Sequence, residues 1–189
     1  MPKQMMGLAV CGSFCTFSRI LEEIKPLCET YHITPILSEA TTRTDTRFWQ
    51  ANAFHREIEA VTGNQAIATI PAAEPIGPRG LFDVIVVAPC TGNTLAKLAA
   101  GITDTTVTMA CKAHLRNGRP VVLALSTNDG LSANGANIGV LLGRKHYYFV
   151  PFAQDDPAAK PNSLVADFTR IGETADAALT GRQLQPLLC

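Results

Sequence analysis

Several things are missing from these 189 residues, and each absence removes a class of protein. No stretch of about 18 consecutive apolar residues occurs, so no helical membrane span is expected. The apolar part of Met1–Ser13 is too short for a signal peptide, which makes the cytoplasm the expected compartment. Neither charge dominates: Lys plus Arg and Asp plus Glu number 16 each, and no basic patch or charged tail stands out. Nucleic acid and anionic membranes are therefore not expected partners. The six cysteines (11, 15, 28, 90, 111 and 189) form no C-x-x-C, and the four histidines (32, 55, 114 and 146) no H-x-x-x-H, so no metal site is expected. Cys11, Cys90 and Cys111 lie in apolar surroundings and read as small buried hydrophobes. There is no G-x-G-x-x-G and no G-x-x-x-x-G-K-[ST], which excludes the dinucleotide fingerprint and the P-loop. Charged residues make up only 17% of the chain against 47% hydrophobic, which suggests apolar surface covered by other copies in a homo-oligomer.

What is present alternates between strand and helix signals. The expected fold is α/β: a doubly wound, mostly parallel sheet in a flavodoxin-like or Rossmann-type three-layer sandwich, with residues 1–189 forming one domain. Strands are predicted over Met6–Cys11, Ile33–Leu37, from Val84, over Val121–Leu125 and, last, Tyr147–Val150. Pro35 suits an edge strand, and Pro89 should end the central strand. Helical spacing runs from Phe17 to Cys28, with Pro26 expected to kink it or shorten its last turn. Further helices are predicted over Arg47–Val61, from Asn93, over Asp104–Arg116, over Ser132–Leu142 and over Ser163–Leu179. Ser38–Asp45 reads as a polar loop. Ala66–Gly80, with Pro71, Pro75 and Pro78, reads as extended backbone.

The most informative stretch is FDVIVVAPCTGNTLAKLAAGITDTTVT, Phe82 to Thr108. A β-branched run leads into Thr91-Gly92-Asn93-Thr94 and then a helix, which places hydroxyls, an amide and free helix N–H groups at a strand's carboxyl end. Ligands of open α/β sheets bind there, and helix N-termini favour phosphate. Gly12-Ser13 after the first strand and Ser38 after the second are matching loops, and together the three read as one phosphate or cofactor site. The competing reading is an ordinary set of βα connections with routine caps. Asn93 is expected both to cap its helix and to face the ligand, and Asp104 chiefly to cap the next helix.

The segment APCTGNTLAKLAAGITD resembles the A-P-x-T-x-N-T-x-x-K-x-A-x-G-I-x-D block of the flavoproteins related to cysteine decarboxylases and flavin prenyltransferase. One branch, the B subunits of dipicolinate synthases of spore-forming bacteria, is similar over almost the whole chain. Its marks are GPRGLFDVIVVAPCTGNTLAKLA, RNGRPVVLALSTNDGL, FVPFAQDDPAAKPNSLVAD and LQPLL, in that order from Gly7 to Leu188.

The resemblance implies FMN, or a phosphate in its place, bound by Gly12, Ser13, Ser38, Thr91, Gly92, Asn93 and Thr94. It implies a small heterocyclic dicarboxylate as substrate and a partner, the A subunit of the synthase, that brings NAD(P). The implied setting is the mother-cell cytoplasm of a sporulating bacterium. A dicarboxylate calls for cations. Those near predicted loops are Arg43, Arg47, Arg79, Arg116, Arg119 and Lys160, with Arg43 and Arg47 beside the second loop the first choice. Asp155 and Asp156 are read as turn caps or partner contacts. Decarboxylases of the group share a histidine before the central strand and a P-x-M-N-x-x-M-W block. Here EPIGPRGLFD and LALSTNDGLSANG stand at those places, so cysteine decarboxylation is not expected. Two alternatives stay open: a non-catalytic scaffold for the dehydrogenase-like partner, and an independent FMN enzyme.

Overall fold

The structure, a computed structural model, describes residues 3–189. Its first strand, β1 (Gln4–Val10), leads through a 3-10 turn at Phe14–Thr16 into α1 (Phe17–Thr30) and then β2 (Tyr31–Leu37). Next come α2 (Glu39–Arg43), α3 (Ala51–Thr62), α4 (Ile70–Ala73), α5 (Ile76–Arg79) and β3 (Val84–Cys90). After β3 the chain forms α6 (Gly92–Ala100), α7 (Thr106–Leu115), β4 (Val121–Thr127), α8 (Gly135–Leu142) and β5 (Tyr147–Phe149). It ends with the hairpin β6 (Phe152–Asp156) and β7 (Lys160–Ala166), a 3-10 turn at Phe168–Arg170 and α9 (Ile171–Leu179).

Five strands pair in parallel in the order β2-β1-β3-β4-β5, and helices cover both faces. That is the expected doubly wound architecture with a flavodoxin-like strand order. Val84 to Ala88, Val121 to Leu125 and Leu8 to Val10 are fully buried, because strands covered on both faces need apolar residues at every position. Pro35 sits on outer strand β2. Its carbonyl accepts from Ile67 N–H on the outward side, the side its missing N–H would have served.

The sheet is mixed and mostly parallel, as expected; the sequence pattern does not place its two antiparallel strands, β6 and β7. β4 outruns β5: Val121–Leu123 pair with β5, while Ser126 and Thr127 pair with Val165 and Leu164 of β7, antiparallel. Ser163–Ala166 is therefore strand, and the helix predicted from Ser163 begins at Ile171. β6 also takes the chain's end, where Phe152 N–H donates to Leu187 O and Cys189 N–H to Phe152 O. Asp156 accepts from Ala159 N–H at 3.0 Å and closes the hairpin turn, one of the duties expected of these acids.

Other differences have local causes. Residues 66–80 hold two short helices rather than extended chain. Pro71 stands in the first turn of α4, Pro75 caps α5, and Pro78 lies in its first turn, where a missing N–H has no partner to lose. Gly77 lets α5 press on α7, because a Cβ there would stand 2.4 Å from Ala113 O. Ser38–Asp45 contains α2, with the Ser38 side chain capping Thr41 N–H. α3 starts at Ala51, whose N–H donates to Asp45 at 2.9 Å. α1 runs through Pro26 to Thr30. β3 continues past Pro89 to Cys90, with its pairing to β4 shifted between Val87 and Cys90.

Asp104 does not cap α7. Thr105 does, in a reciprocal box with Thr108 (3.1 Å each way), and the Glu39 carboxylate accepts from Thr106 N–H and O–H. Asp104 is exposed and pairs with Lys97 at 2.8 Å. Thr105→Ala should therefore cost about 1 kcal/mol of stability, while Asp104→Ala should leave the urea midpoint almost unchanged, as exposed ion pairs do. A larger loss from Asp104→Ala than from Thr105→Ala would reverse the assignment.

Candidate functional site

A cleft forms where the order of the parallel strands reverses. β1 and β3 are neighbours, yet the chain passes from β1 to β2 on one side and from β3 to β4 on the other. Their carboxyl-end loops diverge and leave a crevice. It has a volume of about 730 Å³, a size typical of cofactor and small-ligand sites.

Three strand ends make its floor. Gly12 and Ser13 follow β1, Thr91 to Asn93 follow β3, and Ser126 to Asp129 end β4. The Ser13 and Ser126 hydroxyls meet at 2.8 Å and tie the first loop to the third. Thr91 caps α6, accepting from Thr94 N–H at 3.3 Å and donating to the Thr94 hydroxyl at 3.2 Å. The N–H groups of Gly92 and Asn93 precede the first intrahelical bond and stand at the positive end of α6. The Asn93 side chain is exposed in the cleft.

Walls rise on both sides. Phe14 and Cys15 from the 3-10 turn and Arg19 from the start of α1 form one, with Phe48, 49% exposed, lining the cleft as well. The β6–β7 hairpin and Phe168 form the other. The hairpin is there because the outrun end of β4 leaves an edge whose N–H and C=O groups need partners. Ser163 adds a bond from its hydroxyl to Thr127 O at 3.2 Å.

Asp129 is an ion with its partners built in. Its carboxylate accepts from the Thr127 hydroxyl and, at 2.9 Å to each oxygen, from the Asn134 amide. These bonds, Thr127's first, hold its pKa below the usual carboxylate value. Asn137 donates in turn to Asn134 at 2.9 Å. The buried thiols behave oppositely. Burial pushes Cys11 up to about 11, although the Thr94 hydroxyl donates to its sulfur at 3.2 Å, and Cys90 and Cys111 rise as well. All three stay protonated, inert core groups.

Of the residues predicted for the site, Gly12, Ser13, Thr91, Gly92 and Asn93 line the cleft together. Ser38 and Thr94 are buried and do not line it. Ser38 is buried against Thr41 at 2.9 Å, and its N–H donates to Val10 O, so it braces the end of β1. Asn93 is not the cap expected of it, since Thr91 already fills that place one turn ahead of the first bonded amide. Arg43 and Arg47 are exposed and do not line the cleft, although Arg47 lies 4.8 Å over the ring of Phe48. Arg19, Phe48 and Phe168 line it without having been expected there. Only Arg19 left a local trace, on the helix that follows the Gly12-Ser13 loop.

The profile of the family described as Flavoprotein matches residues 1–143. The chain belongs to the flavoprotein family. Within that family it is 44% identical to the B subunit of dipicolinate synthase from Bacillus subtilis (strain 168), over 97% of this chain and 92% of that protein. The crystal structure of the corresponding B subunit from Bacillus halodurans superposes with a TM-score of 0.90 at 42% identity, covering 98% of this chain and 96% of that one. An FMN-dependent cysteine decarboxylase shares the flavoprotein fold at a TM-score of 0.67 and 20% identity, covering 95% and 97% of the two chains. No helix among the described residues is long and apolar enough to cross a membrane.

Proposed function

We propose that this chain is the flavoprotein-like subunit of a dipicolinate synthase and works with the synthase's A subunit to oxidise dihydrodipicolinate to pyridine-2,6-dicarboxylate. The observation behind this reading is the similarity to B subunits along nearly the entire chain. Removing one hydride and one proton makes the substrate ring aromatic, which drives the reaction. The A subunit, similar to nicotinamide-dependent dehydrogenases, brings NAD(P), and the setting is the mother-cell cytoplasm during sporulation.

FMN suits the donors present in the cleft. The N–H groups of Gly92 and Asn93, the Asn93 amide and the paired hydroxyls of Ser13 and Ser126 would hold its phosphate and ribityl chain, with Gly12 allowing close approach. When bound, it supplies a two-electron acceptor. The protein's own part is to seat the planar substrate against Phe14, Phe48 and Phe168 and to keep water from the ring. Self-association fits the exposed Leu131, Val140 and Leu142 on and just before α8.

The test is turnover with purified proteins. This protein alone should form no dipicolinate from dihydrodipicolinate, and adding the A subunit should start the reaction. Turnover without the A subunit would refute the division of labour. An A subunit that works unassisted at full rate would reduce this chain to a bystander.

A further inference from the structure

Among the described residues that line the cleft, only Arg19 and Lys160 carry positive charge, and they come from α1 and from the first residue of β7. Among the described residues, neither side chain donates to a backbone carbonyl; their partners are side chains. The Arg19 guanidinium lies 5.1 Å from the centroid of the Phe168 ring, and its nearest carboxylate, Asp167, is 3.9 Å away. That carboxylate already accepts from the N–H and hydroxyl of Thr169 at 3.2 and 2.6 Å. By contrast, Arg119 and Arg144 donate to backbone carbonyls at Gly80, Leu98 and Ala99. An arginine beside an aromatic ring, with its nearest carboxylate as far as 3.9 Å, has N–H groups left for a ligand, and its planar fork suits a carboxylate bound through two parallel hydrogen bonds. Lys160 is held by Asp155 at 2.6 Å on the exposed hairpin. Arg19 and Lys160 line the same cleft, one beside Phe168 and the other on the hairpin. The other acid of the lining, Asp129, is occupied by Thr127 and Asn134 and does not compete.

We propose that Arg19 and Lys160 are the two carboxylate anchors of this cleft, each holding one carboxylate of a planar aromatic dicarboxylate. This assignment rests on the substrate class given under the proposed function. Lys160 exchanges Asp155 for the ligand, while Arg19 needs no partner displaced. Asp155 therefore weakens binding by competing for Lys160, and Asp155→Asn should tighten it.

The test is calorimetric titration of the full-length protein, loaded with FMN, with pyridine-2,6-dicarboxylate and with pyridine-2-carboxylate. The same titrations are run on Arg19→Gln, Lys160→Gln and Asp155→Asn, with melting curves to show that each variant folds. The unchanged protein should prefer the dicarboxylate by about ten-fold or more, and each cation variant should lose about ten-fold in dicarboxylate affinity and most of that preference. Visible absorbance should show FMN retained throughout. If the unchanged protein binds the dicarboxylate and both cation variants match it within two-fold, the anchors are wrong and the proposed function stands. Loss of FMN in the variants with dicarboxylate affinity intact would assign the two cations to the phosphate instead, which also overturns the proposal. Failure of the unchanged protein to bind the dicarboxylate, even with the A subunit present, would remove the proposed function and the anchors with it.

Discussion

Gly92→Ala should cost about 2–3 kcal/mol of stability and empty the cleft of any flavin. Gly92 is the first residue of α6, and a Cβ there would stand 2.5 Å from the Asn134 amide nitrogen, 2.5 Å from the Thr127 hydroxyl and 2.7 Å from an Asp129 oxygen. None of these is the loose end of a flexible chain. Asn134 is buried and bonded to both Asp129 oxygens, while Thr127 is held in the pairing with β7. Making room means breaking bonds to an ion, and each charge-assisted bond contributes about 1.5–3 kcal/mol. The same shift moves Asn93 and the free N–H groups of the helix start. A control sits in α8, where nothing lies within 4 Å of a Cβ built on Gly139. Gly139→Ala should raise stability by about 0.5–1 kcal/mol through the unfolded chain. Urea midpoints of the two variants, together with flavin absorbance, decide the matter. An unchanged midpoint in Gly92→Ala would mean that the Asp129 network is soft and does not shape the site.

The same contrast between local and distant causes explains what is legible in the sequence. The floor of the cleft can be read because a parallel strand, a small polar loop and a helix form one contiguous signal, as at Val84 to Leu98. Its walls cannot. Ser163, Leu164, Val165 and Phe168 fit a helix as well as a strand. What decides is the free edge of β4, reached through a Ser163 bond to Thr127, 36 residues earlier. Arg19 shows the same limit. Its position on α1 reads as solvent-facing, and only the arrival of Phe168 beneath it makes it part of a site. Residues 66–80 mislead for another reason: proline reads as a helix breaker, whereas each proline here stands at a helix start. Asp104 outranks Thr105 as a cap because carboxylates cap well in general, although the capping box with Thr108 is there to be read.

Stability should fall by about 2 kcal/mol between pH 7 and pH 5, and by about 3 kcal/mol near pH 4, through the single side chain of His114. His114 is 1% exposed, on α7, with its Nε2–H donating to Pro120 O at 3.1 Å. Burial pushes its pKa down to about 4; the bond to Pro120 opposes this, and the nearby Arg119 adds to it. In the unfolded chain the ring titrates near 6.5. Between those two values the unfolded state binds the proton and the folded state does not, so stability rises with pH across this window and is lost as pH falls through it. The carboxylates with lowered values, Asp104 and Asp129, act in a different range, because their contribution fades only below their unfolded value of about 3.9. His114→Gln keeps an N–H donor for Pro120 and removes the titration. Its stability at pH 7 will differ from that of the unchanged protein, but the level is not the readout. The slope of unfolding free energy between pH 6.5 and 4, taken from urea curves at each pH, should be steep in the unchanged protein and nearly flat in the variant. Parallel slopes would show that His114 takes up its proton without leaving the fold, and the pH sensitivity would then have to come from another group.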